Sequence, residues 1–339
     1  MPRKGRIDFP GALHHVVIRG INLARIFQDD NDRREFIRRL KIGLEKTGLS
    51  CYAWALIPNH VHLLLRTGVQ SLTALMRSLL TGYALYFNRR YKRVGYLFQN
   101  RYKSILCDEE AYLLQLVRYI HLNPLRAGLV SSLQELNRFP WCGHSVLLGQ
   151  QKASWQDVDS VLGLFASTVS EARKSYLEFV KEGIPEGKRD DLTGGGLLRS
   201  GGGWRSVRGL KKAGARQRGD ERILGGSGFV QRALEIAEEQ LTKREQRRAA
   251  GWDLMSLLDY TASLFDTDSK RILLKRREKA AACARALFAW WATEELGFTT
   301  TEVADFLSIS TPAVSKAASR GYEFCQEKGL LFQANKLES

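Results

Sequence analysis

Over the first 125 residues the apolar positions switch repeatedly between a two-residue and a 3.6-residue period. His15 to Arg19 (His-Val-Val-Ile-Arg) reads as a strand. Asp29 to Lys46 reads as a helix: Asp29-Asp30-Asn31-Asp32 supplies N-cap chemistry, and Phe36, Ile37, Leu40 and Leu44 recur at helical spacing. Leu49 to Ile57 and Val61 to Arg66 read as two strands on either side of Pro58-Asn59, a turn-like pair. Leu72 to Asn88 is a second amphipathic helix. Glu109 to Leu122 is a third, stopped at Pro124 with Asn123 at its end. Strand, helix, strand, strand, helix predicts an α+β layer with an antiparallel sheet.

Between Gly183 and Gly228 the periodicity is lost, and 14 of the 30 glycines fall there, including Gly194-Gly195-Gly196 and Gly201-Gly202-Gly203. No Gly-Lys-Ser/Thr follows, so a connector is expected rather than a phosphate loop. Trp204 and the apolar Gly225–Leu234 stretch point to folded parts within it. From Phe229 the pattern is helical. Phe229 to Gln240 is amphipathic, and Arg271 to Thr293 is an Ala-rich stretch expected to form one long helix. Thr299 to Leu307 is a short capped helix, and Ser308-Ile309-Ser310 is a turn. Thr311 to Gly321 is a further helix, with Thr311 as cap, Pro312 at its first position and Gly321 at its end. The expected organisation is therefore residues 1–145, a partly helical Gly-rich connector over 146–228, and an all-α domain over 229–339.

Composition narrows the partner more than the fold. The chain has 339 residues, 44% of them hydrophobic, enough for more than one core. No apolar run is long enough to span a bilayer, and Met1-Pro2-Arg3-Lys4-Gly5-Arg6 lacks the apolar segment of a signal peptide. A soluble, cytoplasmic protein without a membrane partner is expected. The formal net charge is +16, and residues 1–150 hold 22 Lys and Arg against 10 Asp and Glu. Such a domain suits a polyanion such as nucleic acid; a basic surface kept for solubility is the plainer alternative. Cys51, Cys107, Cys142, Cys283 and Cys325 are scattered, form no Cys-x-x-Cys pair, and are expected to be small buried apolar residues.

Two short motifs carry candidate chemistry. In Pro58-Asn59-His60-Val61-His62, strand alternation puts both imidazoles on one face and Val61 on the other. Two neutral imidazoles side by side suit a divalent metal, and a third, oxygen ligand would favour magnesium or manganese. In Arg118-Tyr119-Ile120-His121-Leu122-Asn123-Pro124, Tyr119 and Asn123 are four apart on one helical side. The Asn123 amide oxygen can reach a metal while the Tyr119 phenol reaches a phosphorus. The plainer alternatives are two histidines on a polar strand and a tyrosine packed at the edge of a core. His14, His15 and His121 read as structural, His121 because it lies on a different helical face from Tyr119.

Tyr83 to Lys103 interleaves rings with cations. Its aromatics are expected mostly to pack, while Arg89, Arg90, Arg93, Arg101 and Lys103 follow a DNA backbone. In the last helix, Ser315, Lys316, Ser319 and Arg320 are placed to approach duplex DNA; a three-helix packing module is the alternative.

These residues carry a resemblance. The segments His14-His15-Val16-Val17-Ile18-Arg19-Gly20, Phe27-Gln28-Asp29-Asp30 and Ala53-Trp54-Ala55-Leu56-Ile57-Pro58-Asn59-His60-Val61-His62 occur in order. Tyr86-Phe87-Asn88-Arg89-Arg90, Leu97-Phe98-Gln99-Asn100-Arg101-Tyr102-Lys103 and Tyr119-Ile120-His121-Leu122-Asn123-Pro124 follow them. Over about residues 1–145 the chain resembles the single-tyrosine transposases with a His-hydrophobic-His (HUH) motif, in the branch of REP-associated tyrosine transposases. The resemblance implies a ferredoxin-like HUH nuclease fold. It makes His60 and His62 metal ligands, Asn123 the third ligand, Tyr119 the nucleophile, and Mg2+ or Mn2+ the cofactor. It implies cleavage and joining of single-stranded or hairpin DNA, such as repetitive extragenic palindromes, through a 5′-phosphotyrosine. The alternative is a domesticated, non-catalytic DNA-binding regulator of such repeats. The stretch Thr301 to Gly321 has helix-turn-helix spacing and resembles the DNA-binding end of the replication initiator DnaA, which implies a second, duplex-DNA contact.

Overall fold

Six of the seven residues of β1 (Leu13–Arg19) are buried, so the sheet that holds it is covered on both faces. In the computed structural model, residues 6–68, 70–187, 189, 192, 220–274 and 278–333 are described. They fall into two compact units, Met1–Glu235 and Ile236–Ser339.

The first unit is α+β. After β1 come α1 (Asp30–Thr47), β2 (Ser50–Ile57), β3 (His60–Arg66), α2 (Leu72–Arg90) and β4 (Lys103–Cys107). Asp29 caps α1 by accepting the Asp32 N–H at 3.1 Å, and Gly48, at φ +65°, closes it in the left-handed conformation that glycine adopts without steric cost. Pro58-Asn59 forms the link between β2 and β3, with Ile57 paired to His60. The Pro58 carbonyl accepts from the Ile26 and Phe27 N–H groups at 2.8 and 3.2 Å, which ties that turn to the segment before α1. The sheet order is β2-β3-β1-β4-β5.

The expectation of an antiparallel sheet holds for the first four strands and fails at the fifth. β5 (Ile223–Leu224) pairs with β4 in parallel, so the sheet is mixed. The Leu106 and Asp108 N–H groups donate to Arg222 and Leu224 carbonyls at 2.8 Å, satisfying an edge that would otherwise be open. A two-residue strand has no readable period. β4 itself is absent from the expected elements, since Lys-Ser-Ile-Leu-Cys alternates for too short a run.

Alternation divides the sheet residues between two cores. Val16, Ile18, Trp54, Leu56, Val61, Leu63 and Leu65 face α1 and α2, packing on Phe36, Leu40, Leu75 and Leu79. Leu13, Ala53, Ala55, Ile57, Leu64 and Ile105 face the other way, onto Leu116, Val117 and Ile120 of α3 (Glu109–His121). α3 is followed by α4 (Asn123–Arg126), which contains Pro124 in its first turn, so that proline starts a short helix as well as ending a long one. Among the described residues up to Gly183, four further helices follow: α5 (Leu133–Arg138), α6 (Gly143–Leu147), α7 (Val158–Leu162) and α8 (Val169–Glu182). Leu147, Val161, Leu162, Ala172, Tyr176 and Val180 join the same core as α3. The glycine runs Gly194–Gly196 and Gly201–Gly203, and Trp204, lie outside the described residues.

His121 is structural, as expected, and belongs to a buried polar chain. Its Nδ1 lies 2.8 Å from the Tyr176 hydroxyl, which lies 2.7 Å from His144 Nδ1, while His144 Nε2 lies 2.9 Å from Asn137 Oδ1. An amide oxygen only accepts, so His144 donates through Nε2, accepts the Tyr176 O–H at Nδ1, and leaves the Tyr176 oxygen to accept from His121. Burial pushes His144 down to about 4, and burial together with His144 holds His121 well below its ordinary value. The sign follows. A histidine neutral in the fold but free to protonate when unfolded stabilises above about pH 6.5, and that stability is lost as pH falls toward 4. For His144 the loss amounts to roughly 2 kcal/mol by pH 5. Urea denaturation at pH 7.5 and 5.0 checks this. His144→Gln is expected to show a pH dependence about 2 kcal/mol smaller than the wild type; equal dependences would refute the assignment.

The second unit is largely helical and has its own core, built on Trp252, Leu257, Leu258, Leu287, Phe288 and Trp291. Three expectations fail here. The Ala-rich stretch is two helices, Ser269–Leu273 and Lys279–Glu294, separated by residues that include 275–277, outside the described set. Gly321 does not end its helix, which runs Thr311–Lys328 and closes at Gly329 with φ +63°. A Cβ at Gly321 would lie 2.1 Å from the Ala286 carbonyl oxygen, so the glycine serves close helix packing. Ser310, not Thr311, caps that helix, its side chain accepting from the Ala313 N–H. Thr299–Leu307 does form as expected, with a full capping box between Thr299 and Glu302. Four cysteines are buried, Cys283 is half-buried, and all five are free thiols. Among the described residues no helix is long and apolar enough to cross a membrane.

Candidate active site

β3 begins with His60, and its alternation places His60 and His62 on the α3 side of the sheet and Val61 in the opposite core. Across the strand pair, His60 opposes Arg19 and His62 opposes Val17. The two imidazole rings stand 5.0 Å apart, nearly perpendicular. α3 crosses this face and brings in Tyr119, whose ring centre is 5.9 Å from that of His62. His60, His62 and Tyr119, separated by up to 59 positions in sequence, therefore meet.

Both histidines are held neutral. Burial pushes His60 down to about 4, with the Arg19 charge adding to the effect. Burial also holds His62 well below the ordinary histidine range, helped by His15, His60 and Arg19. Each ring is tied through Nδ1. His60 Nδ1 lies 2.7 Å from Asn59 Oδ1, and the Asn59 amide is oriented by its N–H donating to the Leu23 carbonyl at 3.3 Å. His62 Nδ1 lies 2.9 Å from His15 Nε2. Neutral imidazoles anchored at Nδ1 keep Nε2 for another partner, which is the donor arrangement of a histidine metal ligand.

Asn123 sits beside the tyrosine, with its Nδ2 donating to the Tyr119 carbonyl at 2.9 Å and to the Ile120 carbonyl at 3.4 Å. With the nitrogen turned to the backbone, the amide oxygen points away from it. Among the described residues no group of three or more His, Cys, Asp or Glu side chains is arranged around a metal position. An ion at His60 and His62 would therefore take its remaining ligands from oxygens such as an amide, water or phosphate.

Three side chains that the sequence reading left out of the site also reach this place. His15, read as a strand histidine, is fully buried between His62 and Tyr119, 5.2 Å from one ring and 5.9 Å from the other. Arg126 holds its guanidinium 5.3 Å from the Tyr119 ring centre and donates to the Tyr119 carbonyl at 3.4 Å. Arg19 is exposed at the end of β1, opposite His60. A period-two reading of β1 would have found His15 and Arg19 on one face. Arg126 lies seven residues after Tyr119, two helical turns along, and that spacing was its only signal.

The expected DNA-contact residues divide. Lys103 pairs with Val17, so it stands on the face of His62, one strand farther, roughly 10 Å away across two strand spacings. Arg89 and Arg101 are exposed, and Arg93 lies with its guanidinium 5.6 Å from the Phe87 ring. Arg90, also exposed, is already engaged by the protein: it makes 2.6 Å ion pairs with both Asp29 and the fully buried Asp32, and holds Asp29 down at about 2. In the second unit Lys316 and Arg320 are exposed four residues apart. The Ser315 and Ser319 hydroxyls instead donate to helix carbonyls one turn back, at 3.2 and 3.0 Å.

No curated protein sequence matches the chain. A solved REP-associated tyrosine transposase bound to a REP hairpin aligns with 50% of this chain and 93% of its own, at 14% identity and a TM-score of 0.38. Residues 10–123, which hold His15, His60, His62, Tyr119 and Asn123, match the family described as Transposase IS200 like, and the domain they form is of the IS200-like Y1 transposase type.

Proposed function

We propose that the protein is a metal-dependent single-stranded DNA endonuclease and strand transferase acting on hairpin-forming repeats such as repetitive extragenic palindromes. The observation that carries this reading is the convergence of two neutral, Nδ1-anchored imidazoles with the Tyr119 ring on one face of the sheet. The βαββαβ order of the first unit, with antiparallel strands in the order β2-β3-β1-β4, supports a ferredoxin-like HUH nuclease fold. The family match over 10–123 supports transposase chemistry.

In this reading His60 Nε2, His62 Nε2 and Asn123 Oδ1 hold Mg2+ or Mn2+. Bound there, such an ion would supply positive charge to neutralise phosphate oxygens and polarise the phosphorus. The Tyr119 oxygen attacks the phosphorus, the bond to the 3′ oxygen breaks, and a 5′-phosphotyrosine forms. The phenolic proton is lost from Tyr119 and the departing 3′ oxygen gains one, so the number of ester bonds is unchanged and no energy cofactor is needed. Arg126, over the Tyr119 ring, favours the phenolate. Arg19, next to His60 and exposed, is placed to meet the phosphate, with Lys103, Arg89, Arg93 and Arg101 following the strand. Arg90 is left out of that set by its two carboxylates. A second contact, to duplex DNA, is proposed for the helix-turn-helix of the second unit through Lys316 and Arg320, with Ser315 and Ser319 lining the same helix in the manner of DnaA.

Incubating the full chain with a single-stranded hairpin repeat and its flanks, with Mg2+, Mn2+ or EDTA, tests this reading. A denaturation-resistant protein–DNA adduct that requires the metal is expected. Tight hairpin binding without adduct or cleavage under any metal would instead make the protein a non-catalytic regulator.

A further inference from the structure

We propose that His15 is a positioning residue of the metal site: its Nε2 accepts the His62 Nδ1–H and holds that ring with Nε2 facing His60. This rests on the reading of His60 and His62 as metal ligands.

The argument starts from the strand pair. His15 lies two residues before Val17, the partner of His62, so both imidazoles project from the same face one diagonal apart. The ring centres are 5.2 Å apart with 24° between the planes, and the two nitrogens are 2.9 Å apart, so the rings meet edge to edge along the hydrogen bond. Two ring nitrogens at that distance share one proton, which leaves two arrangements. If His15 donates, neutral His62 carries its own proton on Nε2, which then cannot bind a cation. If His62 donates from Nδ1, its Nε2 lone pair is free and neutral His15 is protonated on Nδ1. Metal ligation through His62 Nε2 requires the second arrangement.

His60 offers an internal comparison. Its Nδ1 also meets an acceptor, the Asn59 amide oxygen at 2.7 Å, and that acceptor is itself oriented by the bond to Leu23. Both histidines of the motif thus have Nδ1 spent on an oriented protein partner. For His60 the partner comes from the turn that begins β3, and for His62 from a neighbouring strand. His15 is fully buried and touches the Tyr119 ring edge, so it also fixes the space in which the nucleophile sits. Partners that orient a ligating imidazole in this way commonly change metal affinity by about 10–100-fold when removed.

The test uses the full chain and Mn2+ alone, with free ion counted by electron paramagnetic resonance. His15→Phe fills the volume without an acceptor and is expected to weaken Mn2+ binding by about 10–100-fold. His15→Gln, whose amide oxygen can accept, is expected to recover part of that loss. Hairpin binding in EDTA should be unchanged in both, which a folding defect would not allow. Wild-type affinity in His15→Phe, beside a clear loss in His60→Ala, would overturn the role of His15 and leave the metal site standing. Absence of Mn2+ binding in the wild type itself would overturn the metal site and His15 together. One measurement needs no variant. Long-range 1H–15N spectra of histidine-labelled wild type with Mg2+ should place the His15 proton on Nδ1, and a proton on His15 Nε2 would refute the proposal.

Discussion

Tyr119→Phe is expected to abolish the covalent adduct and to lower strand cleavage by at least about 10⁴-fold, to the background of the assay. The change removes one oxygen. The ring at position 119 would still pack beside His62 and His15, and still lie by Arg126, so the unfolding free energy should fall by no more than about 1.5 kcal/mol. Hairpin affinity and Mn2+ binding should also persist. That combination separates loss of a nucleophile from loss of a fold. Tyr112, on the same helix, is a half-buried ring packed against the α3 core, and Tyr112→Phe should retain the adduct. An adduct that survives in Tyr119→Phe and disappears in Tyr112→Phe would move the nucleophile to the other tyrosine.

The second large effect is expected at His60. His60→Ala should reduce metal-dependent cleavage by at least about 10²-fold and weaken Mn2+ binding in parallel, with hairpin binding in EDTA intact. His60 is the better probe of the pair because it is only half-buried at the start of β3. His62→Ala would delete a buried imidazole and strand His15 Nε2 in the core without its partner, adding a folding cost of about 1–3 kcal/mol to any loss of metal. Cleavage measured against Mn2+ concentration decides the matter. A rightward shift that high Mn2+ partly restores indicates a lost ligand, whereas an unchanged Mn2+ dependence would remove His60 from the metal site.

The electrostatics around the site separate two kinds of arginine that look alike in sequence. Arg89 and Arg90 are neighbours at the end of α2, yet Arg90 spans Asp29 and Asp32 while Arg89 faces solvent. Asp32 is fully buried and also accepts from the Gln28 N–H and the Tyr91 hydroxyl at 2.8 and 2.9 Å. Arg90 therefore satisfies a buried carboxylate at the start of α1, and a phosphate could recruit it only by breaking that network. Alternation of rings and cations does not distinguish the two, because the acidic partner lies some 60 residues away in sequence.

The local elements were legible because their causes are local. Asp29 and Gly48 bound α1, Thr299 and Glu302 start a short helix, and the alternation of β1, β2 and β3 assigns their residues to the two faces of the sheet. The His60/Val61/His62 division between the α3 face and the opposite core follows from strand alternation alone. The candidate list His60, His62, Tyr119, with Asn123 four residues on, also needed helical spacing and the family resemblance. What alternation does not contain is distance between strands and helices. Only the packed chain puts His15 against His62, Arg126 over Tyr119 and Arg90 between two aspartates. Only it pairs the two-residue β5 with β4, and lets Gly321 admit the Ala286 carbonyl in the middle of a helix. Each of these is a contact between residues far apart in the chain. It is selected by close packing and by the need of buried polar groups for partners, and neither condition leaves a period in the sequence.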